Sequence, residues 1–302
     1  MAHIKNARRN PGDMVMKRIL ALMLGAVLAL AAGFASPATA IAKTNPWETL
    51  PRPAAMPTPL RSGYAPVDGV QIYYAIYGHG APVILLHGGL GNADYWGNQV
   101  REFAKHYQVI VMDSRGHGRS TRDAQPYGYH LMATDVVHAM DYLKIPKASI
   151  VGWSDGAIIG LDIAMTYPDR LDKLFAFGAN VTTSGLREDI GQSAVFNKYI
   201  ENAGKDYERL SKTPKEYDKF VAQISEMWNT QPNYTPEQLA TIKAPVVIAD
   251  GQYDEGIKQS HDIEMAREIP GARLLIFPGL SHFAMWQDPK TFNKAVLQFL
   301  AE

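Results

Sequence analysis

Gly152-Trp153-Ser154-Asp155-Gly156 sets a serine midway between two glycines. Serine is a weak nucleophile until a base takes its proton, so a reacting serine needs a partner from elsewhere in the chain. The apolar Ile150-Val151 before the motif and the helical pattern after it predict a strand-to-helix turn. Such a turn is so tight that a side chain at either flank would collide, and it strains the serine while exposing its hydroxyl. Of nine histidines, His282 in Gly279-Leu280-Ser281-His282-Phe283 falls in a loop between the last strand-like run and the last helical pattern. The acid that orients this histidine belongs between the two in chain order, just after a strand. Asp254 fits, because Val246–Ala249 runs into the glycine-containing loop Asp250-Gly251-Gln252-Tyr253-Asp254. Asp250 is too near the strand end and Glu255 begins the next turn. The chemistry implied is acyl transfer: Ser154 attacks, His282 takes its proton, and Asp254 fixes the tautomer and steadies the imidazolium.

An acyl transfer also needs donors for the tetrahedral oxyanion. The backbone amides of Gly89, in His87-Gly88-Gly89-Leu90-Gly91, and of Asp155, opening a helix, are placed to supply them. Glycine-rich loops can also cradle phosphate, but neither G-x-x-x-x-G-K-[ST] nor G-x-G-x-x-G occurs there. Trp153, Asp155 and Trp228 are read as substrate-binding. His87 is a structural loop residue, and the polar side chains of Asp113–Ser120 brace a turn. His130, His138 and His261 lie on or beside helices as surface or packing residues.

The elements that must position these groups alternate between strand and helix. Asp68-Gly69 between two β-rich runs marks a hairpin. Continuously apolar runs at Pro82–Leu86, Gln108–Met112, Ser149–Val151, Lys173–Phe177, Pro245–Ala249 and Arg273–Phe277 suit strands buried on both faces, as in a parallel sheet. Helical patterns at Leu131–Leu143, Ala157–Thr166, Ser260–Ile269 and Lys290–Leu300 lie between or after them. The prediction is a doubly wound α/β sheet, which places ligands at the carboxyl ends of its strands. Residues 179–242 break the rhythm. Tyr217, Phe220, Ile224 and Trp228 follow amphipathic-helix spacing, and Phe196, Tyr199 and Ile200 suggest a second helix, so a helical cap is inserted into a core of residues 63–178 and 243–302.

The N-terminus carries an address. Lys17-Arg18 precede an uncharged apolar run that ends in Ala38-Thr39-Ala40, a secretory signal peptide cleaved after Ala40. Export to the periplasm or beyond is expected, with no stable membrane insertion once the leader is gone. Residues 41–62 hold five prolines and read as an extended linker. The leader holds Lys5, Arg8, Arg9, Lys17 and Arg18 against Asp13, so the remaining chain has 25 basic and 29 acidic residues. That mildly acidic balance excludes the concentrated basic footprint of nucleic-acid binding. With no cysteine, the chain has no disulfide, thiolate metal site or cysteine nucleophile.

His87-Gly88-Gly89, the Asp113–Ser120 turn, Gly152-Trp153-Ser154-Asp155-Gly156, Gly251-x-x-Asp254 and Gly279-x-x-His282 occur in the order found in the α/β-hydrolase superfamily. The sequence resembles that superfamily across residues 63–300. Gly152–Gly156 and Phe177-Gly178-Ala179-Asn180 resemble its valacyclovir hydrolase (biphenyl hydrolase-like) branch. The resemblance implies an α/β-hydrolase fold with an eight-stranded, mostly parallel sheet, helices on both faces and a helical cap. It implies no metal or organic cofactor and a small-molecule ester or acyl substrate. C–C, lactone, amide or aminoacyl cleavage, or ligand binding with little turnover, are the alternatives.

Overall fold

The computed structural model describes residues 44–302; the leader lies outside the described residues. The chain opens with a hairpin, β1 (Arg61–Val67) and β2 (Val70–Tyr77), turned by Asp68 and Gly69 at φ 39° and 84°. Both turn residues have positive φ, as a type I′ turn requires. The following strands are β3 (Pro82–Leu86), β4 (Gln108–Met112), β5 (Ala148–Trp153), β6 (Leu171–Phe177), β7 (Val246–Gly251) and β8 (Arg273–Phe277). They form one sheet in the order β1-β2-β4-β3-β5-β6-β7-β8. The β1–β2 and β2–β4 pairs are antiparallel and every other pair is parallel.

Strand side chains alternate between faces, and both faces are covered. On one face Ile84, Leu86, Ile110 and Ile150 pack with α2 (Tyr129–Leu143) and α3 (Asp155–Thr166), represented by Met132, Val136, Ala157 and Leu161. On the other, Val83, Leu85, Val109 and Val151 pack with Val100 and Phe103 of α1 (Gly97–Phe103) and with Phe292, Val296 and Phe299 of α9 (Pro289–Ala301). Between β6 and β7 the only long elements are α4 (Ala194–Leu210) and α5 (Tyr217–Thr230), followed by the single turn α6 (Pro236–Leu239). Phe220, Ile224 and Met227 of α5 join the first core cluster, so the cap shares its apolar interior with the sheet domain. After β7 come α7 (Gln259–Glu268) and, after β8, the short α8 (Ala284–Gln287). No helix among the described residues is long and apolar enough to cross a membrane.

The proline-rich segment differs from its expectation as a linker. Trp47 stacks on Tyr253 with ring centroids 4.1 Å apart, Arg52 donates to Asn202 of α4 at 2.9 Å, and Leu50 and Met56 pack on the second core cluster. Residues 44–60 are a strap laid on the body. β1 also starts at Arg61, two residues before the expected core boundary. Prolines keep a chain extended, but what it lies on is decided by the residues between them.

Candidate active site

The elbow forms as its glycines require. Ser154, between the end of β5 and the start of α3, has φ 55° and ψ −121°. This conformation is costly for a residue with a side chain and persists only where its surroundings impose it. A Cβ on Gly152 would lie 2.4 Å from the Gly156 carbonyl oxygen, and one on Gly156 would lie 2.2 Å from that of Leu86. The Ser154 N–H is tied to the carbonyl of Phe177 at 2.8 Å, and its own carbonyl accepts from Ala157 at 2.8 Å. Asp155 is the first residue of α3, so its N–H has no acceptor within the helix.

His282 and Asp254 meet on loops leaving β8 and β7. Nδ1 of His282 donates to Oδ2 of Asp254 at 2.6 Å, and both side chains are buried. Oδ1 of Asp254 accepts the Gly256 and Ile257 N–H groups at 2.6 and 2.7 Å. Burial opposes the charge on each partner, but their mutual attraction outweighs it: Asp254 is held below the usual carboxylate range and His282 is raised. Because Nδ1 faces a carboxylate, it carries the proton and Nε2 is left as the base. The loops are bound to each other, with Gln252 N–H to Phe277 C=O at 3.0 Å and Tyr253 N–H to Leu280 C=O at 2.9 Å. Glu255 accepts the His282 backbone N–H at 3.1 Å; it braces the loop and is not the partner of the ring.

On the opposite side of the site the cap meets the sheet domain. Gly89 lies three residues past the end of β3, and its carbonyl accepts from Tyr199 Oη of α4 at 2.6 Å. A Cβ at Gly89 would collide with the Trp228 ring and would sit 2.8 Å from Oδ2 of Asp155. Asp155 therefore faces the glycine loop. It accepts from Tyr129 Oη at 3.0 Å and from Trp228 Nε1 at 3.0 Å. Burial pushes its carboxyl up to about 6 against these hydrogen bonds, and no cationic side chain among the described residues lies within 4.0 Å of it.

Trp228 joins the site while Phe220 and Ile224 of the same helix are core. Trp153, expected to contact substrate, is a correction: it is 1% exposed and packed among Tyr95, Tyr199, Phe283, Trp286 and the His282 ring. It is a wall behind the serine, because alternation along β5 directs it into the second core cluster. Asp113 accepts from Ala93 and Arg119 backbone N–H groups at 2.6 and 2.7 Å, and His87 accepts from Ser114 N–H at 3.0 Å, both as loop braces. His130 and His138 are half exposed beside Asp162 and Asp68, and buried His261 accepts from Val181 N–H. Tyr129 and Tyr199 were not anticipated. Only the Phe196-Tyr199-Ile200 spacing hinted at the second, and it did not indicate what the hydroxyl would meet.

Among the described residues, Asp250, Asp254 and His282 form one group compact enough to hold a metal ion, with ligand atoms within 4.8 Å of one another. Two of those three are already bonded together.

A serine on a strained elbow after the fifth strand, with a histidine–aspartate pair from the last two loops and a helical cap above, is the arrangement of the α/β-hydrolase fold. Residues 81–209 match the family model of the alpha/beta hydrolase fold. The chain is 29% identical over 261 residues to the human protein named Serine hydrolase BPHL, spanning 82% of this chain and 89% of that one. It is 28% identical over 271 residues to the 2-hydroxy-6-oxononadienedioate/2-hydroxy-6-oxononatrienedioate hydrolase of Comamonas testosteroni, spanning 78% and 93%. The solved meta-cleavage product hydrolase CumD from Pseudomonas fluorescens IP01 superposes with TM-score 0.69 at 24% identity, over 79% of this chain and 97% of that one, which shows the shared fold. The chain has the α/β-hydrolase fold, resembles the serine hydrolases of that superfamily and is a hydrolase.

Proposed function

We propose that the protein cleaves a carboxylic ester, or a related acyl bond, through an acyl-enzyme on Ser154. The observation that carries this reading is the strained elbow serine together with the His282–Asp254 pair. Nε2 of His282 takes the Ser154 proton as the hydroxyl attacks the acyl carbon. The Gly89 and Asp155 amides receive the oxyanion. His282 then protonates the leaving alcohol and activates water to release the acid, while Asp254 stabilises the imidazolium throughout. A fluorophosphonate should label wild type and not Ser154→Ala, and a panel of esters varying in acyl length and aromaticity should then give turnover. Labelling that persists in Ser154→Ala overturns the assignment.

Asp155 bears on substrate class. A buried carboxylate beside the nucleophile, without a cationic partner, disfavours a dianionic substrate such as the dioate in the name of the Comamonas relative. It favours a neutral ester or one with a cation near the acyl carbon. The second reading is therefore an aminoacyl ester whose ammonium meets Asp155, and Trp228 is the contact such a group would share. Matched aminoacyl and plain acyl esters, compared in wild type and Asp155→Ala, decide between them. A preference of roughly 30- to 150-fold corresponds to about 2–3 kcal/mol and should vanish in the variant. We also propose export, supported by the basic, apolar and Ala-x-Ala pattern ending at Ala40; an N-terminal sequence of the mature protein beginning at residue 41 is the expected result.

A further inference from the structure

Behind Asp254 the fold buries two carboxyls that the acyl-transfer scheme does not use. Asp250, near the end of β7, is 1% exposed, and Asp262, in the first turn of α7, is wholly buried. Oδ1 of Asp250 accepts the Gly251 N–H at 2.7 Å. Its Oδ2 and both oxygens of Asp262 meet no donor among the described residues. A carboxyl oxygen of Asp250 lies within 4.8 Å of one of Asp254 and of the His282 ring nitrogen, and the charges of Asp254 and Asp262 both bear on the Asp250 carboxyl.

Carboxylates in contact cannot all be ionised without water or a cation between them, so at least one carries a proton. Asp254 has two backbone N–H groups on one oxygen and His282 on the other, which holds it as the anion. Asp262 lies near the positive end of a helix. Asp250 has one backbone donor, and its burial beside the Asp254 charge pushes its carboxyl well above the usual range, whereas burial raises Asp262 only to about 7.

We propose that Asp250 is a positioning residue for the acid of the site: as a neutral carboxylic acid it donates its O–H to the Asp254 carboxylate, with Asp262 as the alternative acceptor. The inference rests on Asp254 being the acid that serves His282. The donated bond adds a side-chain donor to the carboxylate that His282 meets and draws off part of its basicity. The other charged groups facing this pair are Glu255 on the same loop, Asp155 across the site and Arg187 on the cap side. A neutral Asp250 adds no charge to that set, so its influence on His282 runs through Asp254.

Two variants test this in the full enzyme with p-nitrophenyl butyrate. Asp250→Val removes the donor; kcat should fall roughly 10- to 100-fold with KM little changed. Without that donor Asp254 attracts the His282 proton more strongly, so the acid limb of the pH profile should move to higher pH. Asp250→Asn keeps an N–H donor and should recover most of the lost kcat and the wild-type limb. In wild type at pH 8 the infrared band of a protonated carboxyl should be present, and Asp250→Asn should delete it. This last readout stands even if Asp250→Val does not fold. The proposal is overturned by wild-type kcat in Asp250→Val, by equal damage in both variants with the limb unmoved, or by a carboxyl band that survives Asp250→Asn. Failure of the acyl-enzyme reading is separate, since it shows as fluorophosphonate labelling that outlasts Ser154→Ala.

Discussion

The two sides of the site are held by different kinds of bond. The side carrying Asp254 and His282 is fastened largely by backbone groups: Tyr253 to Leu280, Gln252 to Phe277, and the Gly256, Ile257 and His282 amides, which the carboxylates of Asp254 and Glu255 accept. The side carrying Gly89 and Asp155 is fastened by side-chain tips from α2, α4 and α5, namely Tyr129, Tyr199 and Trp228. Backbone bonds persist whatever the side chains become, whereas a hydroxyl or indole contact is lost with one substitution. The arrangement keeps the reacting geometry constant and lets the substrate side vary. Changes on the first side should therefore lower kcat, and changes on the second should redistribute rate and affinity among substrates.

The largest effect tests the proposed nucleophile, which stands between the two sides. Ser154→Ala should lower kcat by about 10⁴-fold or more while circular dichroism and unfolding temperature stay near wild type. Retention of more than a few per cent of activity would remove the serine from the mechanism. Next comes Asp254→Asn, expected to cost roughly 10³- to 10⁴-fold, because an amide facing Nδ1 favours the wrong tautomer. A loss below about tenfold would shift the acid role to Asp250 or Glu255. The pH profile follows from the same pair. His282 is raised by Asp254, and only neutral His282 accepts the serine proton, so kcat/KM should be low in acid and rise in one limb through the histidine pKa. A flat profile from about pH 5 to 8 contradicts that base.

This division also explains what could be read from sequence. β3 and β4 occupy the residues their apolar runs mark, because a strand buried on both faces leaves an uninterrupted signature, and the edge strand β8 keeps its marked bounds although its first half is exposed. The serine, aspartate and histidine were legible for a related reason: each sits on a turn whose glycines encode the backbone path. Tyr199 and Gly89 are 110 positions apart across the docking of cap on core, and Tyr129 and Asp155 meet between two packed core helices, contacts that no local pattern records. Trp153 was misread as substrate-facing because an aromatic beside a nucleophile has the same local sequence whether it lines a pocket or fills the core. The strap was misread because its prolines speak for extension while Trp47, Leu50 and Met56 do the docking.

On the cap side, Tyr199→Phe isolates a single hydroxyl. It leaves the ring in the aromatic cluster and the Gly89 carbonyl without its donor. A net hydrogen bond of about 0.5–1.5 kcal/mol predicts a loss of roughly two- to tenfold in kcat/KM, differing among acyl groups. A uniform loss as large as that of Asp254→Asn would erase the distinction between the two sides.

The smallest effect belongs to the strap. The Trp47 ring stacks over Tyr253, the neighbour of Asp254, and reaches within 3.9 Å of where a Cβ on Gly279 would stand in the loop carrying His282. It therefore covers both reacting loops from outside. Those loops are already joined through backbone bonds, so the ring should add stability without setting geometry. A stacked aromatic pair contributes about 0.5–1.5 kcal/mol, and a kcal/mol is worth about 2–4 °C in a domain near this size. Trp47→Ala should lower the unfolding temperature by a few degrees and change kcat by less than about threefold. If kcat fell tenfold while the unfolding temperature held, the strap would belong to the positioning machinery. The reacting loops would then depend on a ring outside them as well as on the bonds between them.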